Sequence, residues 1–265
     1  MSAVYSFTQG STPLLFSMPH SGEQLPPSLL SRLTESGQAL VDTDWHLKRL
    51  YSFLADLDVS LICADYSRYV IDLNRPVGGD SLYPGQRETE LCPTSSFMDQ
   101  PLYREGKGPE QNEIRQRIEQ YWQPYHRRLE QELSRIKERF GYALLWDAHS
   151  IQSRLPRFFE GRLPDLNLGT ASGASCCEGI SRRLLAVLEK YADYTVAYNG
   201  RFKGGYITRH YGNPAGNIHA VQLEIAQINY MSEYPDFTYD AARAGRLQQV
   251  LAEMVRSLLQ WRPDE

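Results

Sequence analysis

The sequence lacks the features that mark secreted, membrane and disulfide-bonded proteins. Its 265 residues include only four cysteines, and none of them forms a Cys-x-x-Cys pair. A disulfide framework or a zinc ribbon is therefore not expected, and a reducing compartment fits this cysteine usage best. Residues 1–11 lack the basic start and apolar run of a signal peptide. Every apolar run is far shorter than the ~20 residues that span a bilayer. We therefore expect a cytoplasmic protein that has no membrane partner.

The chain also lacks an excess of basic charge and the short motifs of three common enzyme classes. Its 28 Lys and Arg residues and 32 Asp and Glu residues give a net charge of −4, which argues against a nucleic-acid partner. It contains no Gly-x-Ser-x-Gly, no Gly-x-x-x-x-Gly-Lys-[Ser/Thr] and no Gly-x-Gly-x-x-Gly after a strand. Serine hydrolases, P-loop nucleotide triphosphatases and Rossmann enzymes therefore lose their main support. A local cluster of arginines can still hold a small anion in an acidic protein.

What the sequence does contain is a set of short apolar runs that alternate with helical patterns. We expect one α/β domain over residues 1–265, with a mixed, partly parallel sheet and helices on both faces. The runs that predict strands are Pro13–Met18, Val59–Ala64, Arg68–Leu73, Tyr142–Trp146, Tyr194–Tyr198 and His219–Ile225. The patterns that predict helices are Asp44–Leu54, Ile114–Phe140 with a kink or break at Pro124, Ile180–Leu188 and Ala241–Leu259.

Two histidines follow two of the predicted strands at the point where each strand ends. His20 follows Pro13–Met18, and His149 follows Tyr142–Trp146. Because ligands gather at the carboxyl ends of strands in such sheets, the two imidazoles could converge on one point. Neutral imidazoles are the usual ligands of zinc, and a catalytic zinc takes three protein ligands and one open position. Alternatively, each histidine hydrogen-bonds within its own loop, and the residues alone leave both interpretations open.

The third ligand of such a metal would be an acid near one of the histidines. Glu23 lies three residues after His20, on the same short loop, and Asp42 and Asp44 lie a little further along the chain. Asp44 stands at the start of a predicted helix, where an acid often only caps the helix or stabilises its dipole. The residues alone do not decide between these acids.

Arginines and one buried acid complete the candidate site. The predicted strand Arg68–Leu73 is followed by Asn74 and Arg75, and the Arg guanidinium matches a carboxylate with a fixed fork of donors. A structural ion pair between Asp72 and Arg75 is the alternative. A second basic segment, rich in glycine, contains Arg201 and Arg209.

Glu224 lies in the apolar run His219–Ile225. A carboxylate in such a strand needs a partner or a function, because burial of an unpaired charge is costly. Beside a metal, a raised pKa would suit Glu224 to a general base. A buried structural salt bridge is the alternative.

With these residues assembled, the chain resembles the N-formylglutamate amidohydrolase (formylglutamate deformylase) family from about Leu14 to Met231. The segments that carry the resemblance occur in the family's order and several are long. They are SMPHSG, DTDWHLKRLY, SRYVIDLNRP, LYPGQ, LWDAHSIQSRLPRFFEGRLPDLNLGT, NGRFKGGYITRHYG and HAVQLEIAQINYM.

The resemblance extends to the wider group of zinc carboxypeptidases and aspartoacylase, and it implies a zinc-carboxypeptidase-like fold and a metal site. His20, Asp44 and His149 would bind one Zn²⁺ per chain, and another divalent transition metal remains compatible. For the third ligand beside the two histidines, Glu23 is the second choice after Asp44, and His46 or Asp42 is the third. The oligomeric state stays open, a monomer included.

The resemblance also implies a reaction, the hydrolysis of N-formyl-L-glutamate to L-glutamate and formate by a metal-activated water. This would be the last step of a route that degrades histidine. Glu224 would move the proton from the water to the leaving amine. Small acidic N-acyl amino acids are the expected partners. Arg75 with Asn74 would bind one carboxylate, Arg162, Arg201 or Arg209 would bind the other, and Arg68 is a further substrate-binding residue. The alternatives are an amidohydrolase for N-acetyl or N-carbamoyl acidic amino acids, and a metal-free dicarboxylate-binding protein.

Overall fold

A mixed β-sheet forms the centre of the fold. The computed structural model describes residues 4–79, 82, 85 and 87–263. Tyr83, Pro84 and Gln86 of the LYPGQ segment lie outside the described residues. The strands are β1 (Tyr5–Thr8), β2 (Leu14–Met18), β3 (Ser60–Ala64), β4 (Ala143–Ile151), β5 (Leu166–Gly169), β6 (Val196–Tyr198) and β7 (Ile218–Ala226).

The described residues form a seven-stranded sheet with the strand order β1-β3-β2-β4-β7-β5-β6. Strands β3, β2, β4 and β7 run parallel to one another. Strand β1 is antiparallel to β3, and β5 is antiparallel to β7 and parallel to β6. The expected mixed, partly parallel sheet is therefore confirmed.

Helices cover both faces of this sheet. Successive residues of β4 point to opposite faces, so that Trp146 packs in one apolar core with α6 and α8, and Leu145 packs in the other with α5. None of the described helices is long and apolar enough to cross a membrane. The helices are α1 (Pro27–Leu30), α2 (Glu35–Gln38), α3 (Leu47–Leu50), α4 (Gln111–Arg117), α5 (Gln123–Phe140), α6 (Glu178–Leu188), α7 (Tyr206–Tyr211) and α8 (Ala241–Gln260).

The prediction of a strand at Arg68–Leu73 is wrong, because this segment makes local turns instead of a ladder. The N–H of Val70 donates to the carbonyl of Ser67, and the Asp72 carboxylate accepts from the Asn74 N–H. Such local bonds to side chains and turns compete with strand pairing. The apolar residues of the segment are nevertheless buried in the core. The apolar pattern therefore predicted the burial of these side chains correctly and the extended backbone wrongly.

The helix predicted for Asp44–Leu54 forms only in part. It begins at Leu47 because His46 takes a left-handed backbone conformation with φ 60°, and a 3₁₀ turn follows over Ser52–Asp56. The long pattern Ile114–Phe140 is helical but divided into α4 and α5. A π-helical segment, Ile118–Trp122, separates the two, and Pro124 lies in the first turn of α5, where a proline costs no hydrogen bond. The hydrogen-bonding pattern changes just before Pro124, but the backbone stays helical from Gln111 to Phe140, so the structure shows no break there.

The carboxyl ends of β2, β4 and β7 lie side by side, since the three strands are neighbours and parallel. His149 of β4 is paired in register with Glu224 of β7. His20 lies just beyond the end of β2. The fold therefore brings residues that are far apart in the sequence to one edge of the sheet.

Candidate active site

Three side chains meet at this edge, His20 after β2, Asp44 in the loop before α3, and His149 in β4. All three are buried, and one ligand atom from each lies within 4.8 Å of the other two. The imidazole rings of His20 and His149 are tilted against each other with centroids 4.9 Å apart. Two imidazoles and one carboxylate are a donor set that suits a zinc-class cation and leaves a coordination position open. These residues could therefore hold a divalent metal ion.

Each histidine has a buried carboxylate beside its Nε2 atom, which orients the ring. The Nε2 of His20 lies 2.7 Å from Asp72, and the Nε2 of His149 lies 3.1 Å from Asp147. The Nδ1 atoms of both rings face the same Asp44 oxygen, at 3.9 Å and 3.2 Å. When each Nε2–H donates to its carboxylate, the Nδ1 lone pair is available to a cation, as in carboxylate–histidine–metal arrangements. The geometry thus fits metal ligation through both Nδ1 atoms.

Asp44 reaches the histidines, whereas the other candidate ligands do not. Glu23 is exposed to solvent. Asp42 is buried but accepts the N–H of Phe97, and His46 contacts the carbonyl of Phe237 through its Nε2. Asp44 does not cap α3, whose N-cap is His46. Its carboxylate instead accepts the N–H of Ser150 at 3.1 Å, which fixes it beside the carboxyl end of β4.

A buried arginine lies next to this cluster. Arg68 is paired with Asp72 at 2.6 Å, its Nη1 lies 3.9 Å from Asp44, and its guanidinium packs on the ring of Phe97. Burial lowers the pKa of His20, and the positive charge of Arg68 lowers it further. His20 therefore favours the neutral form that binds a metal.

The charges around His149 favour both a proton and a metal ion at its imidazole. Burial opposes a charged imidazole, but the carboxylates of Asp147 and Asp44 outweigh it and hold the pKa of His149 well above its usual value. The same two carboxylates attract a metal ion. Proton and metal would therefore compete for this nitrogen, which makes metal affinity dependent on pH.

Glu224 faces the same pocket from β7. No ion pair among the described residues includes it, so the structure does not show the salt bridge that was the alternative. Burial raises the pKa of Glu224 to about 8, and the nearby Asp44 carboxylate acts in the same direction. A carboxyl group of this kind can accept a proton and release it near neutral pH.

The pocket in front of these residues has an empty volume of about 580 Å³. The residues selected from the sequence that line it are His20, Asp44, Arg68, Asn74, Arg75, His149, Arg201 and Glu224. Arg162 and Arg209 are not among the lining residues. Arg162 is paired with Asp165 at 2.6 Å, and the Nε of Arg209 donates to the carbonyl of Gly204 at 2.8 Å.

Arg75 is held rigidly at the wall of this pocket. Its Nε and Nη2 donate to the carbonyl and hydroxyl of Thr89, at 3.0 Å and 2.9 Å, and its Nη1 donates to the carbonyl of Asn74 at 3.0 Å. Three of the five guanidinium N–H groups are thus used, which leaves two. The Asn74 side chain accepts the N–H of Ile207 at 2.7 Å and donates to Asp147 at 3.3 Å. Arg75 therefore presents fixed donors for a carboxylate, whereas the amide nitrogen of Asn74 faces Asp147 and, at 3.0 Å, the Nε2 of His149.

The sequence analysis did not select three residues that the structure places in or around the site, Asp72, Asp147 and Arg87. Asp147 could have been found, because it lies two residues before His149 on a strand and therefore on the same face. Asp72 was considered only as a partner of Arg75, but it is bound by His20 and Arg68. Arg87 directly follows the LYPGQ segment, which carries part of the family resemblance and could have drawn attention to it.

Comparison with known proteins gives a consistent result. The sequence model of the N-formylglutamate amidohydrolase family matches residues 12–231. Two relatives named N-formylglutamate deformylase, from Pseudomonas putida and Pseudomonas aeruginosa, are each 51% identical to this chain over 261 residues. These matches cover 98% of this chain and 97% and 98% of the relatives.

Solved structures share the fold. The N-formylglutamate amidohydrolase from Ralstonia eutropha JMP134 superposes with a TM-score of 0.80 at 24% identity, covering 96% of this chain and 95% of that chain. A gene product from Agrobacterium tumefaciens superposes with a TM-score of 0.68 at 18% identity, covering 96% of each chain. At these identities the likeness concerns the fold alone.

Proposed function

The chain belongs to the N-formylglutamate amidohydrolase family, and on this premise we propose that it hydrolyses N-formyl-L-glutamate to L-glutamate and formate. The proposal includes a bound zinc-class ion and a place as the last step of a route that degrades histidine. The observation that carries it is the meeting of His20, Asp44 and His149 with Glu224 in one arginine-lined pocket.

His20, Asp44 and His149 would hold the metal. When bound, the ion supplies a Lewis acid for the formyl carbonyl and lowers the pKa of a water molecule toward ~7. Asp72 and Asp147 keep both imidazole rings in the orientation that exposes Nδ1.

Glu224 carries the proton in this proposal. Its carboxylate removes a proton as the water oxygen bonds to the formyl carbon, and it then delivers this proton to the amide nitrogen as the carbon–nitrogen bond breaks. The products are formate and the free amine of glutamate. The raised pKa of Glu224, which results from burial, supports its holding a proton between these two steps.

The arginines account for an acidic substrate. The two remaining N–H groups of Arg75 suit one carboxylate, and Asn74 lines the pocket beside it. Arg201 lines the same pocket and suits the other. Arg68, fixed between Asp72 and Phe97, keeps positive charge next to the reacting centre.

The test is an assay of the amino acid released from a panel of substrates, with a metal analysis on the same preparation. We expect about one zinc-class ion per chain. We also expect N-formylglutamate to be hydrolysed with a higher kcat/KM than N-acetylglutamate, N-carbamoylglutamate and N-formylaspartate. A preference for an acetyl or carbamoyl substrate would reassign the acyl group. Tight binding of glutamate derivatives without metal or turnover would identify a dicarboxylate-binding protein instead.

A further inference from the structure

Arg87 stands at the mouth of the active-site pocket. It lines the pocket together with Arg68, Arg75 and Arg201. The Nη2 of Arg201 donates to the backbone carbonyl of Arg87 at 3.4 Å, so that these two arginines are neighbours at the mouth. The pocket therefore has arginines both beside the candidate metal ligands and at its entrance, and Glu88 is also one of its lining residues.

The arginines of the pocket differ in what holds them. Arg68 is bound to the buried Asp72, and Arg75 is bound to Thr89 and to a backbone carbonyl. Arg87 instead donates through Nη1 to Asp99 at 3.0 Å, and the side chains of this pair are 66% and 51% exposed. Solvent-exposed ion pairs contribute little to stability, so this contact can be exchanged.

The partner of Arg87 has the chemistry of the expected ligand. Asp99 offers an alkyl carboxylate, as does the side chain of a glutamate derivative. Its other oxygen lies 3.2 Å from the Nη1 of Arg157, so that Asp99 keeps a cationic partner when Arg87 moves away. The exchange therefore leaves no carboxylate without a counter-charge.

We propose that Arg87 exchanges Asp99 for the side-chain carboxylate of the substrate and thereby selects N-formyl amino acids with two carboxylates. This inference rests on the proposed function. It assigns the carboxylate next to the amide to Arg75 and Asn74, and the distal carboxylate to Arg87 beside Arg201.

The decisive comparison uses N-formylglutamate and N-formylglutamine, which differ only in the distal group, an anionic carboxylate in the first and a neutral carboxamide in the second. For Arg87→Ala we expect the KM for N-formylglutamate to rise by about 10- to 100-fold, the range for loss of a charge-assisted hydrogen bond. The kcat should stay within about twofold and N-formylglutamine should be unaffected, because the reacting groups are untouched.

A matched control is Arg182→Ala. Arg182 pairs with Glu178 at 3.0 Å on α6, and both side chains are highly exposed, at 72% and 75%. This variant removes an arginine from a similar surface ion pair away from the pocket. It should leave the kinetics of both substrates unchanged.

Asp99→Asn tests the exchange from the other side. Asp99 has a left-handed backbone with φ 58°, which asparagine tolerates well, so that the turn is kept. Because the competing carboxylate is removed, the KM for N-formylglutamate should fall by a few-fold, and that for N-formylglutamine should not change.

Two results would overturn the inference while the proposed function stands. One is an Arg87→Ala enzyme with the wild-type preference for N-formylglutamate over N-formylglutamine. The other is an equal loss on both substrates, which would place Arg87 near the carboxylate next to the amide. If the wild-type protein, loaded with metal, releases formate from neither substrate, the proposed function fails and the inference fails with it.

Discussion

At the scale of single residues, Glu224 is a buried carboxylate whose role in chemistry can be separated from a role in stability. Glu224→Gln keeps the shape of the side chain and removes its ability to transfer a proton. We expect kcat to fall by roughly 10²–10⁴-fold, the usual range for a positioned proton-transfer group. Metal content and melting temperature should be close to wild type, because no ion pair among the described residues includes Glu224.

Melting temperature, bound zinc and single-turnover rate should be measured on one preparation of Glu224→Gln. A stable, zinc-loaded and inactive variant would support the role of general base. A variant that is much less stable yet fully active per folded molecule would contradict it.

Arg75 allows a second test at the residue scale. Arg75→Lys keeps the charge but loses the fork and the three hydrogen bonds that fix it to Thr89 and Asn74. We expect kcat/KM for N-formylglutamate to fall by ~10-fold or more, because an ammonium cannot reproduce the bidentate geometry. Metal content should not change, and steady-state kinetics with metal analysis would check both. Wild-type kinetics in this variant would remove Arg75 from substrate binding.

At the scale of elements, α5 is joined to the segment before Arg75 by a histidine. His126 is buried in α5, its ring stacks on Trp122 at a centroid distance of 3.7 Å, and its Nε2 donates to the carbonyl of Leu73 at 2.8 Å. Burial lowers the pKa of His126 to about 3. The helix therefore holds the Asn74–Arg75 segment through a neutral imidazole.

This arrangement predicts a pH-dependent stability with a defined sign. The unfolded chain takes up a proton on His126 below pH ~6.5, whereas the folded protein does not until pH ~3. The contribution is therefore complete above pH ~6.5 and is lost as the pH falls. At pH 5 the loss amounts to about 2 kcal/mol of unfolding free energy. Urea unfolding at pH 7.5 and pH 5 should show a smaller loss for His126→Gln than for wild type by about this amount. Equal losses would contradict the prediction.

The elements also show how far the sequence determined the site. The parallel strands β2, β4 and β7 were predicted from their apolar runs. His20 just after β2, His149 near the end of β4 and Glu224 near the end of β7 lie together as the topology requires. The conformation of Arg68–Leu73 was not predicted, because local turns replace a strand ladder there and distant residues add further contacts. His20, which binds Asp72, is 52 residues away in the chain.

The third candidate metal ligand could not be chosen from the sequence spacing of the acids for a similar reason. Glu23 is near His20 in sequence, but it points to solvent. Asp44 is fixed by the N–H of Ser150, 106 residues away, and this contact exists only in the folded chain. Arg87 was missed although it directly follows the LYPGQ segment, because only the folded structure shows that its side chain lines the pocket.

At the scale of the whole molecule, the candidate metal ligands come from three distant parts of the chain. A cation held by His20, Asp44 and His149 would bind the folded state and not the unfolded one, and it would therefore stabilise the fold. Metal at about a thousandfold excess over its Kd adds about 4 kcal/mol. For a chain of this size, that corresponds to a shift of the melting temperature on the order of 10 °C.

Thermal unfolding with and without a chelator would check this stabilisation. Chelator should lower the melting temperature of the wild-type protein, and added zinc should restore it. The His20→Ala variant is the matched control, and it should respond weakly to either. An identical melting temperature in all conditions would mean that no metal is bound to the native state.

The pairing of β4 with β7 has a consequence for how the length of this chain can change. The two strands are paired over nine positions, and His149 lies opposite Glu224 on one face, while Trp146 and Val221 lie on the other. One inserted or deleted residue within either strand would turn every later side chain to the opposite face. A metal ligand or the proton carrier would then point into the apolar core. We therefore expect insertions and deletions that are compatible with activity only in the loops, because the lengths of β4 and β7 fix the positions of His149 and Glu224.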